Sequence, residues 1–194
     1  MVAVSGSGEL AVAARRALRA RSRSDAALVR AAQRGSADAF DELFARHWPR
    51  AYRAACLVCG DADAAEDVAQ EAFLAAIRAL DRFDRRRPFG PWLHRIVVNR
   101  AIDHTRARAL RREVAAERTP EPVAPERSAP DEALVEALAA LGAEQRAVVV
   151  LRHLLGYTPG EIARLLELPR GTVNSRLRRG LDTLATGLGA EKVP

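Results

Sequence analysis

Apolar and polar positions along the chain follow helical periods. Phe40, Phe44, Trp48 and Tyr52 recur every four residues, which lays them on one slowly drifting stripe of a helix and predicts a core-facing surface. Asp61, after Gly60, has the character of an N-cap. Behind it Ala65, Val68, Ala69, Ala72, Phe73, Ala76, Ile77 and Leu80 keep the 3.6-residue period of a second helix. Pro88 and Pro91 interrupt the pattern. A further helix is predicted from about Trp92 toward Arg112, with Leu93, Ile96, Val97, Ala101 and Ile102 as its buried face. With Ala26 to Gln33 in front, these segments predict a first all-helical domain. Eight of the nine aromatic residues lie between 40 and 92, and only Tyr157 lies elsewhere.

Pro120, Pro122, Pro125 and Pro130 fall close together among Glu121 and Glu126, a composition that favours an extended linker over a packed core. Helical patterning resumes with Leu134, Leu138 and Leu141, then Val148 to Leu155. The segment Gly156 to Gly180 carries the strongest local signal. Thr158 as N-cap, Pro159 at the first helical position and Glu161 three residues after the cap form a capping box. Ile162, Ala163, Leu165 and Leu166 give a short apolar face, Leu168-Pro169 ends it, and Val173, Leu177, Leu181 and Leu184 supply the face of the next helix. Two short helices at this spacing predict a helix-turn-helix, with small Ala163 at their closest approach. In that motif the start of the second helix enters the major groove. Its outward positions here are Thr172, Asn174, Ser175, Arg178 and Arg179, which can bond base edges or phosphates.

Charge sharpens this division. The net +6 hides an uneven distribution. Residues 1–24 have five Arg against Glu9, residues 25–80 six Arg against nine acids, and residues 81–112 ten Arg against three acids. Residues 113–145 have two Arg against eight acids; residues 146–194 have seven Arg and Lys192 against four acids. Two basic blocks parted by an acidic one imply two polyanion-binding surfaces and a joint that stays off the polyanion. No stretch approaches the ~18 apolar residues of a membrane helix, so no membrane insertion is expected. Two cysteines, Cys56 and Cys59, cannot build a disulfide framework, which points to a reducing compartment. Residues 1–24 lack the apolar core of a secretory signal; they suit a basic arm, and share the Arg- and Ser-rich, acid-poor character of a transit peptide.

In the block Arg82 to Arg112, Arg85, Arg86 and Arg87 precede the loop Pro88-Phe-Gly-Pro-Trp92, and Arg95, Arg100, Arg106, Arg108, Arg111 and Arg112 keep mostly off the apolar stripe. Charge with planar side chains suits single-stranded or melted nucleic acid, whose unstacked bases need a platform; a solvated Arg-rich helix is the plainer alternative. Asp61, Asp63, Glu66, Asp67 and Glu71 make an acidic run in which residues 63, 67 and 71 share a helical face. An exposed face without His or Cys is a poor metal cage. Such a patch inside a DNA-binding chain suits docking of a basic protein partner, or plain solvation. Cys56-Leu-Val-Cys59 has no second pair and reads as two small residues on a buried helix. His94, His104 and His153 are scattered, and no phosphate-cradling loop or nucleophile elbow is present. No cofactor, metal or catalytic residue is expected.

The order of the parts carries a resemblance. Asp63 to Phe83, then Phe89-Gly-Pro-Trp-Leu-His-Arg-Ile-Val-Val-Asn-Arg-Ala-Ile-Asp103, then the helix-turn-helix, strongly resemble the extracytoplasmic-function (ECF) sigma factors of bacterial RNA polymerase, over about residues 25–112 and 131–188. The resemblance implies a cytoplasmic, non-enzymatic subunit that binds core polymerase and directs it to promoter DNA. Asp67, Gln70 and Glu71 match the helix that docks on the β′ clamp helices. Ala79, Phe83, Ile96 and Asn99 match a pocket for a base flipped from the melted −10 strand, with Arg95 and Arg100 beside it. Thr172, Asn174, Ser175, Arg178 and Arg179 match the −35 contacts on a domain that also touches the β-flap, and the acidic linker would thread toward the RNA exit path. Position 174 is commonly basic in that family and is Asn here. An anti-sigma factor, often membrane-tethered, is the further partner implied.

The expected architecture is all-α. It has a basic extension over 1–24, a region 2 bundle over 25–112, an acidic Pro-rich linker over 113–130, a region 4 helix-turn-helix over 131–188 and a tail over 189–194. A helix-turn-helix repressor or activator with a helical dimerisation or sensing domain is the alternative reading. A nucleic-acid enzyme using the carboxylates of residues 63, 67 and 71 is a third.

Overall fold

The computed structural model of the chain describes residues 23–116 and 136–187, and among them every regular element is helical. The arm over 1–22, most of the linker and the tail lie outside the described residues. Helix α1 (Asp25–Ala32) starts at Ser24, whose hydroxyl accepts from the Ala27 amide. Helix α2 (Ala37–Cys59) starts at Ser36 and stops at Gly60, whose left-handed backbone (φ 69°) turns the chain while its N–H bonds the Cys56 carbonyl. Helix α3 (Ala62–Ala79) is capped as the sequence predicts: the Asp61 carboxylate accepts from the amides of Asp63 (3.1 Å) and Ala64 (3.2 Å). These bonds, the Ala64 one above all, hold the Asp61 carboxyl below its ordinary pKa. A 3₁₀ turn, Leu80–Arg82, follows, and the Gln33 amide nitrogen fixes it by donating to the carbonyls of Leu80 (2.8 Å) and Phe83 (3.1 Å).

Helix α4 (Phe89–Ala116) is the longest element and begins three residues before the predicted start. Pro91 lies in its first turn, where no intrahelical N–H bond is lost, so the proline opens the helix instead of breaking it. The packing of α2, α3 and α4 is built on small residues. Ala51, Ala54 and Ala55 of α2, Ala65, Ala69, Ala72 and Ala76 of α3 and Ala101 of α4 are all buried, among Leu43, Val58, Val68, Phe73, Leu93 and Val97.

The aromatic stripe is therefore not the centre of this core. Phe40, Phe44, Trp48 and Tyr52 are half-buried against its edge, stacked along α2 with Phe44–Trp48 ring centroids 4.8 Å apart and Trp48–Tyr52 5.9 Å apart. Alanine fills the seam itself, and the rings pack beside it on Phe73 of α3, with the Phe44–Phe73 centroids 4.6 Å apart. Two other residues placed on buried faces are exposed: Ile77 (43%) and Leu181 (42%).

In the second module a helical segment at 136–139 leads to α5 (Ala143–His153), α6 (Pro159–Leu166) and α7 (Arg170–Gly187). Helix α5 packs on α7 and α6 on α7. The two modules also touch, with α2 and α4 against α5 and α4 against α6. Helices α5 and α7 come closest at Gly180, where a Cβ would lie 2.9 Å from Cγ2 of Val149. Replacing a mid-helix glycine by alanine ordinarily gains up to about 1 kcal/mol. Here the stiff β-branched Val149 would have to move, at an overpacking cost of about 1–3 kcal/mol. Gly180→Ala is expected to lower stability by about 1 kcal/mol in urea or thermal denaturation; a stabilised variant would show that α5 yields freely.

Candidate nucleic-acid and polymerase interface

The helix-turn-helix is set by its caps. The Thr158 hydroxyl oxygen accepts from the Glu161 amide (3.3 Å), and the Glu161 carboxylate accepts from the Thr158 amide (2.8 Å). The bond from the Thr158 amide first, then one that the Thr158 hydroxyl donates to the same carboxylate (2.7 Å), hold the Glu161 carboxyl below its ordinary pKa. Helix α6 ends at Glu167, a non-glycine residue in the left-handed region (φ 55°), and the Leu168 amide closes the turn on the Ala163 carbonyl (2.9 Å). Ile162, Leu165, Val173, Leu177 and Leu184 are buried, which leaves Asn174, Arg178 and Arg179 exposed at the start of α7, with Thr172 and Ser175 half-buried. Ser175 donates to the Thr172 carbonyl (3.0 Å), and Arg179 folds back to donate to the Ser175 carbonyl (3.3 Å) and hydroxyl (3.4 Å). Arg178 is exposed and takes no part in these bonds.

On the first module Arg85, Arg86 and Arg87 are exposed. Phe83 and Phe89 are core side chains, and Trp92 is half-buried against them, with the Phe83–Trp92 centroids 4.6 Å apart. One turn further along α4, Ile96 is half-buried, and Asn99 beyond it is exposed. Ala79, at the end of α3, is half-buried as well. A cavity of about 230 Å³ beside Phe83 is bordered by Asp25, Ala26, Val29 and the Arg85–Phe89 loop, and does not take in Ala79, Ile96 or Asn99. Arg95 donates to Glu167 (2.6 Å) and Arg100 to Glu71 (2.8 Å). Asp67, Gln70 and Glu71 lie exposed along α3 together with Leu74, and Gln70 donates to Glu66 (3.1 Å). The acidic face and the Arg-rich helix are thus adjacent surfaces joined by the Glu71–Arg100 pair.

Comparison with known proteins settles the class. Residues 43–111 match the sigma-70 region 2 family and residues 131–184 match sigma-70 region 4. The chain is 41% identical over 170 residues to the ECF RNA polymerase sigma factor SigM of Mycobacterium tuberculosis, covering 86% of each chain. The chain belongs to the ECF sigma factors of the sigma-70 family. RNA polymerase sigma factor CarQ of Myxococcus xanthus is 36% identical over 163 residues, covering 80% of this chain and 92% of that one. Among solved structures, CnrH in complex with the cytosolic domain of CnrY superposes with a TM-score of 0.65 at 32% identity, over 87% of this chain and 99% of that one. RpoE of Bartonella quintana, solved with the anti-sigma factor NepR, shares the fold (TM-score 0.67, 24% identity, 79% of this chain and 98% of that one).

As a sigma factor this protein directs RNA polymerase to promoters, and the remaining features concern how its two modules are held. Among the described residues no helix is long and apolar enough to cross a membrane, and no group of three or more His, Cys, Asp or Glu could hold a metal ion. Burial pushes the Cys59 thiol up to about 11 and raises Cys56 as well, so both stay protonated near neutrality. Residues that the sequence left without a role join the modules. Arg146, 6% exposed, donates to the Val58 carbonyl at the end of α2 and to the carbonyls of Ala139 and Leu141, each at 3.0 Å. His94 Nδ1 and the Tyr157 hydroxyl share a 2.7 Å hydrogen bond, and Arg106 donates to Glu144. The pairs that cross between the modules, Arg146–Val58, His94–Tyr157 and Arg106–Glu144, are far apart in sequence, so spacing gives no signal for them.

His94 is 6% exposed and its Nε2 has no hydrogen-bond partner. Burial first, then His47 and Arg50, pull its pKa from 6.5 to about 4. Between these values the unfolded chain binds a proton that the folded chain refuses. The stabilisation is therefore complete above pH 6.5 and is lost as pH falls toward 4. At 1.36 kcal/mol per pKa unit the loss is about 3 kcal/mol. Thermal melting is expected to fall over this window in the natural chain and much less in His94→Asn, which keeps a polar partner for Tyr157. Parallel pH curves would show that His94 does not titrate in this range.

Proposed function

We propose that the two modules read the two promoter elements through the surfaces described above. The N-terminal face of α7 reads the −35 duplex through Asn174, Arg178 and Arg179, with Thr172 and Ser175 shaping it. The Arg85–Arg87 loop and the Ile96–Asn99 face of α4, with Ala79, Phe83, Arg95 and Arg100, hold the melted −10 strand. Asp67, Gln70 and Glu71, extended by exposed Leu74, dock on the β′ clamp helices of core polymerase, and the second module touches the β-flap. The observation that carries this reading is the exposed start of α7, presented by a complete capping box and the left-handed Glu167 turn. Half-buried Trp92, at the edge of the Arg-rich helix, is the aromatic face available to an unstacked base, which melted DNA offers and duplex does not. Melting driven by binding needs no catalytic group or cofactor. By analogy with RpoE, solved with the anti-sigma factor NepR, an anti-sigma factor is the regulatory partner, and a cytoplasmic location follows from this role.

Arg178 has no bond holding it back, whereas Arg179 braces Ser175. Arg178→Ala is expected to weaken binding to a cognate −35 duplex by about 1–3 kcal/mol with loss of sequence preference, measured by fluorescence anisotropy. A uniform loss on every sequence would restrict it to phosphate. Cognate sequences come from mapping transcription starts after overexpression. Asn99→Ala is expected to impair open-complex formation, read by permanganate reactivity of the −10 strand, more than duplex binding. Equal effects would remove it from the melted-strand surface. Asp67→Ala is expected to reduce co-elution with core polymerase while leaving duplex binding unchanged; intact co-elution would take the acidic face out of the interface.

A further inference from the structure

The groove between the modules gathers three kinds of side chain around one space. A cavity of about 280 Å³ is bordered by Arg87, Trp92 and Arg95 from the first module and by Tyr157, Glu161 and Arg164 from the second. Arg95 gives one bond to Glu167 at 2.6 Å. Arg87 and Arg164 enter no ion pair among the described residues, so two of the three guanidiniums are unspent. Both rings are fixed from outside the cavity. Trp92 lies against Phe83 and Phe89, with centroids 4.6 and 5.5 Å away. The Tyr157 hydroxyl is spent on His94 Nδ1 at 2.7 Å, so its ring is what it has to offer a ligand. Glu161 is the one acid on the border. Its Oε2 takes both Thr158 bonds, at 2.7 and 2.8 Å, while its Oε1 is in no hydrogen bond among the described residues.

We propose that this groove binds a nucleoside di- or triphosphate, with its base against Trp92 and Tyr157, its phosphates on Arg87, Arg95 and Arg164, and a ribose hydroxyl on Glu161 Oε1. Each part of such a ligand meets the group that suits it. Guanidiniums give phosphates charge-assisted, often bidentate bonds. Aromatic rings accept any base by stacking, and a carboxylate oxygen accepts from a hydroxyl. Sites for drug-sized ligands run from about 300 Å³ upward. The cavity lies just below that, with room for a base and its sugar while the phosphates reach out to the rim. The Arg95–Glu167 pair is no obstacle, because it is exposed and pairs of that kind are weak. The site shares Trp92 and Arg95 with the surface given to the melted strand, whereas Tyr157, Glu161 and Arg164 belong to it alone. Its groups come from two modules, so ligand binding and the contact between the modules stabilise each other.

Isothermal titration calorimetry of the full chain with GTP and with ATP tests the site, with inorganic triphosphate and guanosine as the separate halves of a ligand. At least one of the two nucleotides is expected to bind once per chain, about tenfold more tightly than either half. Arg164 is exposed, so Arg164→Ala is expected to keep the fold and to weaken nucleotide binding about tenfold. The same variant is expected to leave the affinity for a labelled oligo(dT) strand, read by fluorescence anisotropy, unchanged. Arg87→Ala/Arg164→Ala is expected to abolish nucleotide binding with the melting curve of the natural chain retained. Failure of both nucleotides to bind, or equal affinity in Arg164→Ala, would overturn the site. Triphosphate binding as tightly as nucleotide would reduce it to an anion patch and overturn the part given to the rings. Equal losses on nucleotide and oligo(dT) would make the cavity a portion of the strand surface and overturn a separate ligand.

Discussion

A buried guanidinium without a carboxylate partner organises this molecule. Arg146 reaches out of α5 to three main-chain carbonyls, one at the end of α2 and two in the segment before α5. Helix ends leave carbonyls unpaired, and a buried cation needs acceptors on several sides. Here the two Nη groups of Arg146 meet such carbonyls, while its buried Nε has no partner. The arrangement requires α2 to stop where it does: Gly60 turns left-handed there, and a Cβ on it would lie 3.1 Å from Nη1 of Arg146. Cys59, next to this junction, is kept in its neutral form by the same burial.

Helix α4 is the element on which everything else is mounted. Its inner face closes the first core through Leu93, Val97, Val98 and Ala101. Along its length arginines meet acids from neighbouring elements: Arg95 with Glu167, Arg100 with Glu71, Arg106 with Glu144 and Arg108 with Asp61. Ion pairs of this exposure add little stability. They do tie the rod to its neighbours on more than one of its faces, because 3.6 residues per turn turn Arg100 and Arg108 away from the side shared by Arg95 and Arg106. The rod also orders the chain's surfaces, because the acidic face of α3 reaches it through Glu71 and the helix-turn-helix through Glu167.

Much of this architecture was legible in the sequence, where each signal is local. The Asp61 cap, the Thr158–Glu161 capping box and the outward residues of α7 follow from rules that act within one turn of helix. The errors are equally physical. Periodicity located the Phe40–Tyr52 stripe but could not tell a central seam from its edge, because burial depends on what the facing helices carry, and these carry alanine. Pro91 reads as a break until its place in the first turn is known. Arg146 follows Glu144 and Gln145, just ahead of an apolar run, and looks like an outward residue. His94 and Tyr157 look like scattered polar positions, and their pairing depends on how two modules meet.

The alanine seam also bears on how the protein responds to temperature. Hydrophobic driving force and the heat-capacity change of unfolding both scale with the apolar area taken out of water. A helix interface lined by Ala51, Ala54, Ala55, Ala65, Ala69, Ala72, Ala76 and Ala101 buries little such area per residue. Its cohesion comes instead from close backbone approach and dispersion contacts. The stability curve of the first module is therefore flatter than its helix content suggests.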